Sequence, residues 1–175
     1  MNARLWRIGL ALGAALAAAA ALGAARPQGP LSWAGAYVDE FENVLVGGET
    51  YDAQNIMEIV QLSPTTAYLS LSLEFYNGHQ CALSGVAEVE GQSLVYRGVE
   101  ADAEGRRCVL ALRKVGKRLV LSDETGACTN LTCGARGGYD GVDFAAKDRR
   151  PIADLPELLA SSEYAAAVAE HAKAH

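Results

Sequence analysis

The densest group of chemistry-bearing residues runs Cys128-Thr129-Asn130-Leu131-Thr132-Cys133-Gly134-Ala135-Arg136-Gly137-Gly138-Tyr139-Asp140-Gly141. A short stretch closed by two cysteines and followed by glycines holds backbone amides in a fixed, exposed arrangement. Arg136, Tyr139 and Asp140 then offer a guanidinium, a phenol and a carboxylate to a partner, and arginine and tyrosine are enriched among the residues that dominate binding energy. The plainer reading is that the glycines make tight turns, Arg136 meets a surface acid and Tyr139 packs in the core. Asn130-Leu131-Thr132 also fits a glycosylation sequon, a match carried by only three residues. A second candidate is His79, just before Cys81 in Asn77-Gly78-His79-Gln80-Cys81, because an imidazole can titrate near neutral pH.

Nothing in the chain points to catalysis. There is no Gly-x-Ser-x-Gly elbow, no His-Glu-x-x-His pair and no phosphate loop. His171 and His175 lie in the tail, which leaves His79 as the histidine of the central region. Asp39, Glu40 and Glu42 sit on one stretch and read as a solvated face. The reading is of a non-catalytic chain with no cofactor and no metal.

These residues need a compartment and a scaffold. The chain opens with Arg4 and Arg7, an apolar run over 8–22 and the small residues Gly23-Ala24-Ala25. That is the pattern of a secretory signal peptide over residues 1–25. The run is shorter than the roughly 20 residues of a membrane-spanning helix, so no span is expected after cleavage. Export places the chain in the periplasm or outside the cell, where thiols oxidise. Cys81, Cys108, Cys128 and Cys133 then form two bridges. Cys128 and Cys133 enclose only Thr-Asn-Leu-Thr, and Cys81 and Cys108 each head a strand-like segment, so the expected pairs are 81–108 and 128–133. The alternative, a metal site, fits this spacing poorly.

Without residues 1–25 the chain carries 13 Lys+Arg against 21 Asp+Glu, a formal charge of −8. That argues against nucleic acid and anionic membranes, and suits a basic envelope protein as partner. It also simply keeps an exported monomer soluble.

The scaffold is legible in the alternation. Leu69, Leu71, Leu73 and Phe75 fall on one face of a strand, and Tyr68, Ser70, Ser72 and Glu74 on the other. Asn77-Gly78 is a tight-turn pair. Cys81, Leu83, Gly85, Ala87 and Val89 form the inward set of the next strand. Further strands are expected over 33–37, 55–62, 93–97, 108–112, 118–122 and 137–144. The fold class is therefore mostly β, an antiparallel meander or small up-and-down barrel of seven or eight strands. The β domain spans 26–146, and 147–175 form a linker and a C-terminal helix. Asp154 and Glu157 cap that helix, and Leu155, Leu158 and Leu159 are expected to face the sheet. An interior lined by Gly85 and Ala87 leaves room for a small apolar ligand unless large residues face them.

The stretches Met57-Glu58-Ile59-Val60, Leu73-Glu74-Phe75-Tyr76-Asn77-Gly78-His79-Gln80-Cys81 and Cys133-Gly134-Ala135-Arg136-Gly137 resemble uncharacterised exported proteins of Gram-negative bacteria, over residues 33–145. The resemblance implies export and assigns no activity or site residue. The Trp33-Ala34-Gly35-Ala36-Tyr37 opening is similar to lipocalin-like barrels, which have a different Gly–Trp order. Bacterial lysozyme inhibitors are also small exported β domains with disulfides, but their loop motifs are not intact in this chain. Three functions follow as expectations: an exported binding or inhibitor-type module, a barrel carrying a small apolar ligand, or an envelope structural or assembly component.

Overall fold

The computed structural model describes residues 29–174. The signal peptide read over 1–25 lies outside the described residues. After a 3-10 turn at Pro30–Trp33 come β1 (Gly35–Val44), β2 (Thr50–Gln61), β3 (Thr66–Phe75), β4 (His79–Glu90), β5 (Ser93–Ala101), β6 (Arg107–Val115) and β7 (Arg118–Ser122). The helix α1 (Ala127–Thr132), the strand β8 (Asp143–Ala145) and the helices α2 (Leu155–Ala160) and α3 (Ser162–Ala174) complete the chain. The eight strands form one sheet in sequence order, each antiparallel to the next.

Alternation sets the inside. Tyr37, Met57, Ile59, Leu69, Leu71, Leu73, Leu94, Leu110, Leu112, Leu119, Leu121 and Phe144 are buried in one core cluster. Asn77 (φ 61°) and Gly78 (φ 70°) both adopt the left-handed conformation, as the β3–β4 turn requires. The sheet curls into a nearly closed barrel. Ala36 on β1 exchanges two backbone hydrogen bonds with Arg150 (2.8 and 2.9 Å), so the segment read as a linker covers part of the free edge of β1.

A second seam lies between β4 and β5. They pair only from Ala87↔Tyr96 to Glu90↔Ser93, which leaves the first half of β4 paired with β3 on one edge and with no strand on the other. Cys133 bridges to Cys81 there, and Gly134 N–H donates to the Gln80 carbonyl at 2.7 Å. An exposed strand edge is thereby covered. The inward space beside Gly85 is occupied by the Tyr96 ring, which lies where a Cβ on Gly85 would be. Tyr96 is thus a large residue facing the small ones, and fills the room that Gly85 leaves.

The disulfides differ from the sequence expectation. They join Cys81 to Cys133 and Cys108 to Cys128. The reason is that the residues between the two cysteines form α1, with Cys128 in its first turn and Cys133 at its C-cap, rather than a loop. Residues five apart on a helix point about 140° away from each other around its axis, so these two thiols diverge. One reaches β6 and the other β4. Asp123, buried just before the helix, accepts hydrogen bonds from Cys128 N–H (3.3 Å) and Thr129 N–H (2.8 Å), and so caps the helix from outside.

The C-terminal segment wraps the outside of the barrel, and its contacts also correct the expectation. Leu155 and Leu159 are exposed, with Leu158 half-buried. It is α3 that packs on β4 and β3. Its inner face is Tyr164, Ala167 and His171, and the Tyr164 and Tyr68 rings meet edge to face at 5.0 Å. A short α2 broken at Ser161 from α3 cannot keep the leucines on the face that the longer helix presents to the sheet.

Candidate functional site

The barrel end that carries the β1–β2 and β3–β4 turns is the candidate site. Asn43 is buried at the end of β1. Its Nδ2 donates to the Phe75 carbonyl (2.9 Å) and to the Tyr51 hydroxyl (2.9 Å), while its Oδ1 accepts from Val44 N–H at 2.8 Å. Val46 N–H in turn donates to Asn77 Oδ1 (3.1 Å). These bonds tie the two turns together and leave Val46 69% and Tyr76 42% exposed.

The segment following Cys133 lies across the same end. It can do so because Gly137 has no side chain: a Cβ there would stand 2.5 Å from Cys81 Sγ and 3.3 Å from Phe75. The Cys81–Cys133 disulfide fixes one end of this strap. The other end is fixed by Tyr139, whose hydroxyl lies 2.7 Å from Thr132 Oγ1. Held between them, Arg136 is exposed and places its guanidinium over the Tyr76 ring, Cζ 5.3 Å from the ring centre. No carboxylate among the described residues pairs with it. A stacked guanidinium keeps its N–H edge free for an acceptor.

Of the residues singled out from sequence, Arg136 and His79 lie at this end. His79 is half-buried against the strap, its Nδ1 3.0 Å from the Cβ position of Gly134. Tyr139 does not present its phenol. It is fully buried, and burial pushes its hydroxyl up to about 12. An aromatic ring between two glycine-bearing segments follows the apolar interior, because leaving it in water forfeits its large burial term. Asp140 is exposed but engaged at the β7 end, where its Oδ1 accepts from Ser122 Oγ (3.3 Å) and Asp123 N–H (3.2 Å). Cys81, Cys108, Cys128 and Cys133 are all oxidised, so no thiol is free among the described residues.

Sequence reasoning missed Tyr76 and Val46. The available signal was an aromatic residue at a turn, immediately after a cleanly alternating strand, and an apolar residue before Gly47-Gly48. Their proximity to Arg136 is a tertiary fact.

The β5–β6 loop is anchored elsewhere. Burial alone would raise the Asp102 carboxyl. Hydrogen bonds from the Arg106 side chain (2.8 and 3.0 Å), Arg106 N–H (2.8 Å) and Asn130 Nδ2 (3.2 Å) outweigh that and hold it well below the usual carboxylate range. This is a structural tie between the loop and α1, and it engages the asparagine of the sequon.

Among the described residues, no group of three or more His, Cys, Asp or Glu could hold a metal ion, and no helix is long and apolar enough to cross a membrane. Two disulfides are compatible with an extracellular or periplasmic protein. No family model, curated protein or solved structure matches the chain.

Proposed function

We propose that the chain is an exported, non-catalytic binding module that meets a partner protein with the barrel end formed by Tyr76, Arg136 and Val46. The observation that carries this reading is the exposed Tyr76–Arg136 stack, held in place by a disulfide and a buried tyrosine rather than by a surface ion pair. An aromatic–arginine pair immobilised before contact loses little side-chain entropy on binding, which is the property of a dominant contact residue. Arg136 meets an acceptor on the partner, and Val46 supplies apolar area beside it.

The neighbouring wall supports a partner that is basic overall. Glu40, Glu42 and Asp52 are exposed on adjacent strands there. Their field steers a basic surface toward this side of the barrel. The periplasm is the compartment this reading assigns.

The test is capture from envelope extract on immobilised protein, with the recovered partner then purified and titrated. Arg136→Ala and Tyr76→Ala each weaken its binding by more than about 1 kcal/mol if this end is the contact surface. Affinity unchanged by both substitutions removes the barrel end from the reading.

A further inference from the structure

The cations of this chain are unevenly spread. The strands run in sequence order and alternate in direction, so successive turns fall at opposite ends of the barrel. The β1–β2 and β3–β4 turns and the β5–β6 loop share the end that carries Tyr76 and Arg136. The β2–β3, β4–β5 and β6–β7 turns share the other. There the β6–β7 hairpin reads Arg113-Lys114-Val115-Gly116-Lys117-Arg118, and all of these residues are exposed. The chain returns beside it after β8. Ala146 N–H donates to the Lys117 carbonyl at 2.9 Å, which brings Lys147 to the same place. Lys114, Lys117, Arg118 and Lys147 ring an open cup whose remaining lining is Gly116, Ala145 and Ala146; no acid among the described residues lines it.

Arg113, Lys114 and Lys117 make no side-chain hydrogen bond or ion pair with a described residue. Arg118 is held by Asp143, and Lys147 stands 3.7 Å from Asp148. Asp39 is the third acid whose charge reaches Arg118. Five cations against three acids leave two positive charges in excess. The β2–β3 turn at this end, 62–65, carries no charge, and Glu90 at the β4–β5 turn is taken up by Arg97. The acids of the far end are too distant to cancel the excess. β6 spans 9 residues, about 30 Å of strand. Glu104 in the β5–β6 loop is therefore several Debye lengths from the hairpin tip at physiological salt, where that length is about 8 Å. The net negative charge of the whole chain does not describe this end.

We infer that the β6–β7 hairpin docks the protein on an anionic phospholipid surface, with Val115 at the level of the headgroups and Lys114, Lys117 and Lys147 on their phosphates. Val115 is 56% exposed at the tip, with cations on both sides of it in the chain. A small apolar tip collared by lysines lowers itself into the interface while its ammonium groups stay in water. The phosphates attract those groups over about a Debye length, so the contact is reversible and sensitive to salt. A nucleic acid needs rings on which its bases stack, and a protein interface is centred on aromatic anchors; the hairpin and residues 145–147 beside it contain no aromatic residue. A free phosphate would use the lysines and give the valine no role. Docked in this way, the Tyr76–Arg136 end points away from the bilayer. The inference is independent of the barrel-end reading: the two surfaces lie at opposite ends and share no residue.

The experiment sediments the protein, purified from the envelope of expressing cells, with phosphatidylcholine vesicles that either lack phosphatidylglycerol or contain it at about one third of the lipid. Binding is expected on the anionic vesicles alone, and is lost as salt rises towards about 1 M. Lys114→Gln and Lys117→Gln each weaken it about fivefold, the factor given by about 1 kcal/mol per charge. Arg107→Gln removes the same charge at the far end of β6 and leaves binding within about twofold. Val115→Trp places an indole at the tip, and its emission shifts to the blue on anionic vesicles, because indoles settle at headgroup level. Circular dichroism confirms the fold of each variant. Equal binding to both kinds of vesicle, equal losses in Lys117→Gln and Arg107→Gln, or an unmoved Val115→Trp emission overturns the inference. Retention on immobilised polyglutamate without sedimentation on vesicles also overturns it, and gives the patch to an acidic protein.

Discussion

The ring of Tyr96 on β5 occupies the place where Gly85 on β4 would carry a side chain. This pair sits where the two strands stop hydrogen bonding, just past Ala87↔Tyr96. Gly85 and Tyr96 are therefore one packing unit. Gly85→Ala is expected to destabilise the protein by about 1–3 kcal/mol through overpacking. Tyr96→Leu in the same chain should recover part of that loss, because the shorter side chain frees the space. Chemical denaturation of the two single variants and the double variant measures the coupling, and strict additivity would show that the ring can move away at no cost.

Non-reducing peptide mapping is expected to return Cys81 with Cys133 and Cys108 with Cys128. The two loops span 20 and 52 residues. Chain entropy assigns about 3 kcal/mol to the shorter and about 4 kcal/mol to the longer. Replacing Cys108 and Cys128 together by serine tests the first value by urea denaturation. A peptide linking Cys128 to Cys133 would mean that α1 does not form.

Arg136 and Tyr139 are three residues apart and should behave oppositely. Arg136→Ala is expected to change stability by less than about 0.5 kcal/mol, as exposed substitutions do. Tyr139→Ala should cost about 3–5 kcal/mol, since it empties a fully buried site. Thermal unfolding distinguishes them. If Arg136→Ala unfolds the protein while the folded fraction keeps its affinity, the arginine is structural.

Asp102 links stability to acid. Its folded carboxyl titrates below the unfolded one, so its contribution is present above the unfolded value, ~3.9, and is lost as pH falls through the folded value. Asp102→Asn is therefore expected to be less stable than the parent at neutral pH, with the gap closing as pH drops below ~4. Denaturant midpoints measured across that range give the difference. A gap independent of pH would mean that the carboxylate charge is not what holds the loop.

The outer helices offer a final contrast. Leu155→Ala and Leu159→Ala should each cost little, less than about 1 kcal/mol, because both side chains are already partly exposed. Tyr164→Ala should cost more than about 1 kcal/mol, through its ring contact with Tyr68 and the area it buries. Equal melting temperatures for all three would show that α3 does not rest on the sheet.

By itself the amino-acid sequence determined the meander. Period-two alternation decides which side chains of a strand point inward, and a pair such as Asn77-Gly78 decides where the chain reverses; both are local, and the register of β3 on β4 follows from them. What spans the barrel was not legible. The pairing of cysteines depends on which strand edge α1 approaches, and α1 itself depends on a cap from Asp123 and two bridges that pin a stretch rich in residues of modest helix propensity. The burial of Tyr139 and the stacking of Arg136 on Tyr76 arise between residues far apart in the chain. Local pattern carries no distance across a closed sheet, so only the tertiary structure could decide them.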